Sequence, residues 1–160
     1  MARMTVKGLE EFTTALHNLG DKMEGVMKEA TYAGADKLIE SVKTQISSLP
    51  TQDGYMPEGQ KRGVITEDEK RDLLSHVGIS RMESTGGKVT VAVGFNGYSS
   101  HRTKKYPNGV PIPLIARSIE SGSSVRRKVP FMRTAAKSNA EGIKAAMTGA
   151  ATAAIEKLTK

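Results

Sequence analysis

Apolar residues in the first third of the chain recur at alternating spacings of three and four. The run comprises Leu9, Phe12, Leu16, Leu19, Met23, Val26, Ala30 and Ala33, and it resumes at Leu38, Ile39, Val42, Ile46 and Leu49. This period is that of an amphipathic helix with one face packed against a partner. Gly20 and Asp21 predict that a short first helix ends there and a longer one begins, with Asp21 as its N-cap. A coiled coil is the alternative, but the glycines favour ordinary core packing.

The middle of the chain alternates between loop-like and regular patterns. Glycine and proline predict a mobile surface loop over 50–65 and a second long loop over 96–112. Between them, Thr66-Glu67-Asp68-Glu69 is a capping box that predicts a short helix near 67–75. Strict alternation then places apolar residues on one side of two strands, within 77–82 and 89–95, around a glycine turn. We expect a β-hairpin whose apolar face is covered by helices.

The last third predicts two helices separated by a basic loop. Pro113 suits a first helical position and Gly122 can close the helix that it opens. A basic loop containing Arg126-Arg127-Lys128 follows, so that a short helix and this loop occupy 113–129. A final helix is predicted over 131–158, with one apolar side formed by Ala136, Ala140, Ile143, Met147, Ala150, Ala151, Ala154 and Leu158.

These elements predict an α+β fold in one domain that spans residues 1–160. A small antiparallel sheet is expected to be packed by long N-terminal and C-terminal helices, the first over about 9–49, with the two loops extended. The length suffices for one domain with a core.

Composition argues against several classes of protein. The chain has no cysteine, which excludes disulfides and thiolate zinc sites. His17, His76 and His101 are scattered without a metal-binding pair, so we expect no enzyme, no catalytic residue, no metal and no cofactor. The N-terminus lacks the apolar region of a signal peptide, and no apolar run approaches the roughly 18–20 residues of a membrane span. We therefore expect synthesis in the cytoplasm and no membrane partner.

The positive charge is concentrated in one part of the sequence. The chain carries a net charge of +7, yet residues 101–137 contain nine basic residues and one acid, so the remainder is close to neutral. This asymmetry predicts an electropositive surface that faces an acidic protein or a nucleic acid, and a solvated face without a partner is the alternative. The candidate binding residues are Arg102, Lys104, Lys105, Arg126, Arg127 and Lys128. Tyr98 and Tyr106 flank the first three, as in single-strand binding proteins.

Two short motifs carry a resemblance to a known family. They read Leu-Ile-Ala-Arg-Ser-Ile-Glu-Ser-Gly at 114–122 and Pro-Phe-Met-Arg-Thr-Ala at 130–135. Together they resemble the C-terminal signature of the small neck and tail-completion proteins of tailed bacteriophages. The matching positions are Ile119, Glu120, Gly122, Pro130, Phe131, Arg133 and Ala135. We expect Glu120 to pair with Arg117 or with an arginine of the following loop.

The resemblance implies a structural virion protein made in the cytoplasm of a host bacterium. Proteins of this kind act at the neck or tail as a homo-oligomeric ring, commonly a hexamer. The ring completes or terminates the tail tube and joins it to head-completion or connector proteins. The implied partners are other copies of the chain, tail tube or sheath proteins, those head proteins, and DNA passing through the lumen. A terminator of a phage tail-like bacteriocin and a small basic nucleic-acid-binding protein are the alternatives.

Overall fold

The computed structural model describes residues 9–51, 65–124 and 126–158, and it has the predicted α+β architecture. In chain order the helices are α1 Leu9–Ser48, α2 Glu67–His76, α3 Ile112–Ser121, α4 Phe131–Ser138 and α5 Ala140–Leu158. The strands are β1 Val77–Ile79, β2 Glu83–Thr85, β3 Lys88–Thr90 and β4 Val93–Phe95. None of these helices is both long enough and apolar enough to cross a membrane.

Helix α1 is continuous through Gly20 and Asp21, so the predicted division into two helices is wrong. A glycine inside a helix costs only about 1 kcal/mol relative to alanine, and it keeps its backbone donor. Only a proline would both remove that donor and clash with the preceding turn. The helix stops where the sequence predicts, just before Pro50, and Leu49 N–H closes its end on the carbonyl of Ile46 at 3.1 Å.

Helix α5 packs along α1, and the two helices come close at Gly34. A Cβ atom at Gly34 would lie 2.5 Å from Met147 Cγ, so the close approach depends on the missing side chain. The single C-terminal helix predicted over 131–158 is instead two helices that meet at Asn139. Because asparagine readily bonds its neighbouring backbone, it favours such a boundary. The change of direction buries Ala135, whereas Ala136, which the helical pattern placed inside, is exposed.

The predicted hairpin is present, but its strands form two short antiparallel ladders. Strand β1 pairs with β4, and β2 pairs with β3 around the turn at Gly86 and Gly87. Between the ladders, Ser80 Oγ accepts the Ala92 N–H at 2.9 Å and Ser80 N–H donates to the Ala92 carbonyl at 2.8 Å. The serine side chain thus takes up a donor that a regular ladder would use, and the hairpin is interrupted there.

The core lies where the second half of α1 meets α2, α3 and α4. Its fully buried members are Val42, Ile46, Leu73, Ile112, Ile119 and Phe131. Phe95 of β4 touches Phe131 edge to face, with ring centroids 6.0 Å apart. The sheet is therefore attached to the helices at the start of α4.

The two predicted loops differ in what the structure describes. For the loop over 50–65, residues 52–64 lie outside the described residues, and its ends meet where Ile65 N–H donates to the Pro50 carbonyl at 3.2 Å. The loop over 96–112 is folded back on itself. Ser99 N–H donates to the Val110 carbonyl at 2.8 Å. Thr103 and Tyr106 exchange two backbone hydrogen bonds of 3.1 and 3.0 Å. We call residues 98–111 the basic hairpin, with Lys104 and Lys105 at its tip.

Candidate functional site: the connection between α3 and α4 and the cavity beside it

Residues 122–130, the connecting loop, are attached to α3 at both ends. Gly122 has φ +80°, a region that favours glycine, and a Cβ atom there would lie 3.1 Å from Lys128 N. Val129 N–H donates to the Ile119 carbonyl at 2.8 Å. The chain therefore returns to the end of α3 before α4 begins.

Glu120 holds the start of α4 from the preceding helix. Its carboxylate accepts the backbone N–H groups of Met132 at 2.8 Å and Arg133 at 3.3 Å. Pro130 occupies the N-cap position and makes no side-chain cap, so Glu120 supplies the acceptor that the helix lacks. Arg133 Nε also lies 3.3 Å from this carboxylate. The expected pairing with Arg117 or with a loop arginine is thus wrong, because the α4 backbone and Arg133 take the carboxylate.

Arg126 is fixed to α2 and is not part of an open basic surface. Its Nη2 donates to Glu69 Oε1 at 2.6 Å, and the two side chains are only 11% and 19% exposed. The other Glu69 oxygen, Oε2, accepts the Thr66 N–H at 3.0 Å and completes the predicted capping box. Arg126 Nη1 is buried and has no hydrogen-bond partner among the described residues. The role of Arg126 in the structure is therefore to anchor the connecting loop to α2.

The other predicted binding residues are exposed. Arg127 and Lys128 lie in the connecting loop, and no ion pair involves either of them in the described part of the chain. In the basic hairpin, Arg102, Lys104 and Lys105 are also exposed, and Lys105 Nζ lies 5.6 Å from the Tyr106 ring centroid. These five exposed cations are thus carried by two separate loops.

A cavity of about 550 Å³ lies between α2, α3 and the basic hairpin. Carboxylates of α2, hydroxyl groups and an apolar lip line it; among its residues are Thr66, Glu69, Asp72, His101, Leu114 and Ser118. Asp72 is only 8% exposed and accepts hydrogen bonds from Ser100 N at 3.0 Å and Ser100 Oγ at 3.2 Å. No pattern in the sequence predicts this cavity, because the helix dipole already accounts for acids in the first turn of α2 and Asp72 reaches Ser100 only through the fold.

Three acidic side chains and one histidine line the cavity. In the described ranges no three histidine or acidic side chains come together as a metal site would require. His76 Nδ1 is engaged with the Asp72 carbonyl oxygen at 2.8 Å. A shift in pKa is found at Glu24 and Glu40 of α1, neither of which lines the cavity. Hydrogen bonds from Lys28 and Lys37, respectively, lower the pKa of these two carboxyl groups.

Comparison with known proteins gives no match: no family model, curated protein or solved structure matches this chain. The resemblance to phage neck proteins therefore stays a prediction, and it depends on the two motifs at 114–122 and 130–135.

Proposed function

We propose that the protein is a structural component of a phage neck or tail, and that copies of it form a ring that completes or terminates the tail tube. The observation that carries the proposal is the unit formed by the resembling residues. Ile119 and Phe131 anchor it in the core, Glu120 caps α4, and Gly122 permits the tight return of the chain. A motif that ties the connection between two helices to both of them suits a protein whose loops must dock reproducibly.

The exposed cations suit an acidic partner. Arg127 and Lys128 are exposed on this connection, and Arg102, Lys104 and Lys105 are exposed on the basic hairpin. Under the proposal these side chains face the acidic rim of a neighbouring ring or the DNA that passes through the lumen. Such charges steer association and set its register more than they add affinity.

Exposed apolar side chains on the long helices suit contacts between subunits. On α1 and α5, Met23, Tyr32, Met147, Ile155 and Leu158 are each about 37–44% exposed. Under the proposal a neighbouring copy covers some of these side chains.

The proposal is tested in assembling particles. In a phage or tail-like particle whose genome encodes this chain, Arg127→Glu with Lys128→Glu should leave heads and tails unjoined in electron micrographs. The matched control, Arg81→Glu with Lys88→Glu, reverses two exposed charges on the β-hairpin and should assemble normally. If the first variant yields as many joined particles as the wild type, the docking role of the connecting loop is wrong.

A second candidate is a small basic nucleic-acid-binding protein, and Tyr98 favours it. This side chain is 60% exposed at the base of the basic hairpin, close in sequence to Arg102, where a base could stack on it. The candidate predicts DNA binding that weakens steeply with salt and that Tyr98→Ala impairs. Binding with these properties by a protein that forms no ring would favour this candidate over the neck protein.

A further inference from the structure

The cavity beside α2 has three acidic side chains in its wall. Asp68, Glu69 and Asp72 line it, in a chain whose net charge is +7. Asp68 forms an ion pair with Arg71 and Glu69 with Arg126, but no ion pair neutralises Asp72 in the described part of the chain. The cavity thus keeps, at low exposure, a carboxylate that is hydrogen-bonded to Ser100 but not paired with a cation, and this favours a cationic occupant.

The cavity wall already binds one cationic side chain. Glu69 receives the guanidinium group of Arg126, which arrives from the connecting loop. Leu114 at the lip is 44% exposed, and Ile115 and Val110 add further apolar surface. A long side chain with an apolar stem and a charged end, such as lysine or arginine, matches this combination.

The basic hairpin carries two such side chains, Lys104 and Lys105, close in sequence to residues that line the cavity. Ser99, His101 and Val110, at the base of the basic hairpin, line the cavity, whereas the tip residues Lys104 and Lys105 do not. The tip is narrow, because Thr103 and Tyr106 close it with two backbone hydrogen bonds. It can extend up to about 10 Å beyond the base, at roughly 3.3 Å per residue. Lys104 and Lys105 are therefore not part of the cavity wall of their own chain, and both are exposed.

We propose that the Lys104–Lys105 tip of one copy enters the cavity of the next copy. The tip and the cavity are different surfaces of one chain, so the contact is head to tail. Repeated contacts of this kind generate a ring if the rotation closes and a filament if it does not. The inference rests on the proposed ring and names the contact that builds it.

Cysteine crosslinking tests the contact directly, because the natural chain has no cysteine. One variant carries Lys104→Cys at the tip, and a second carries Ser118→Cys in the cavity wall. When the two are mixed with a short bismaleimide, the mixed dimer should form about tenfold faster than with the control tip, because docking raises the effective concentration. The control is Lys88→Cys, an exposed lysine beside the turn of the other hairpin. Equal rates for the two tips would overturn the inference.

Charge reversal supplies the second readout. For this experiment the tip cysteine is moved to Thr103→Cys. Adding Lys104→Glu with Lys105→Glu to that variant should reduce the rate of its crosslink to the Ser118→Cys variant to that of the control. An unchanged rate would overturn the inference. If negative stain shows rings but the crosslink does not form, the proposed ring stands and this contact is rejected. If the crosslink forms but no rings are seen, the contact stands and the ring is rejected.

Discussion

At the scale of single residues, Glu120 links one helix to the next. Removing its carboxylate leaves two N–H groups of α4 without an acceptor and frees Arg133. We expect Glu120→Ala to lower the free energy of unfolding by about 1–2 kcal/mol. Urea denaturation followed by circular dichroism measures the change. The control Glu141→Ala removes an exposed pair with Lys144 and should cost less than about 1 kcal/mol. Equal losses in both variants would contradict the capping role.

Gly122 is a residue of the connecting loop at which a side chain should be poorly tolerated. Its φ of +80° and the 3.1 Å approach to Lys128 N together predict a loss of about 1–3 kcal/mol for Gly122→Ala. Gly149 provides the opposite case, since it lies within α5 and a Cβ atom there would meet nothing within 4 Å. Gly149→Ala should therefore stabilise the protein by about 0.5–1 kcal/mol. The same denaturation experiment compares them, and a stable Gly122→Ala variant would show that the loop does not need glycine.

At the scale of elements, the continuity of α1 can be tested at its glycines. A Cβ atom at Gly20 or at Gly25 would meet nothing within 4 Å. Because both lie inside one helix, Gly20→Ala and Gly25→Ala should each stabilise the protein by about 0.5–1 kcal/mol. If a helix ended at Gly20, alanine there would instead destabilise it. Thermal unfolding of the two variants distinguishes these outcomes.

The sequence predicted elements whose signals are local. The capping box at Thr66 and Glu69, the apolar alternation around Gly86 and the stop before Pro50 each depend on neighbouring residues, and the structure confirms all three. The hydrogen bonds of Glu120 to α4 and the anchoring of Arg126 by Glu69 depend on three-dimensional proximity. The second of these joins residues 57 positions apart, and a pattern read along the chain has no means of finding it.

At the scale of the whole molecule, the charge asymmetry of the sequence is only partly a surface property. Arg126 and Arg133 are used within the fold, by Glu69 and Glu120 respectively. Five of the remaining cations lie in the connecting loop and the basic hairpin, and Arg117 and Lys137 are exposed on α3 and α4, whereas the cavity is lined by carboxylates. A molecule with both signs of charge on separate surfaces can associate with copies of itself, which a uniformly basic surface would oppose.

The central claim is that the protein assembles into a ring, and its native mass tests this most directly. We would measure that mass by light scattering over a wide range of protein concentration and salt, with negative-stain images of each large species. The account predicts a closed ring with a mass near six times that of one chain, favoured at high concentration and weakened by salt. A mass of one chain at every concentration, together with DNA binding that falls steeply with salt, would contradict the account and favour the nucleic-acid-binding candidate.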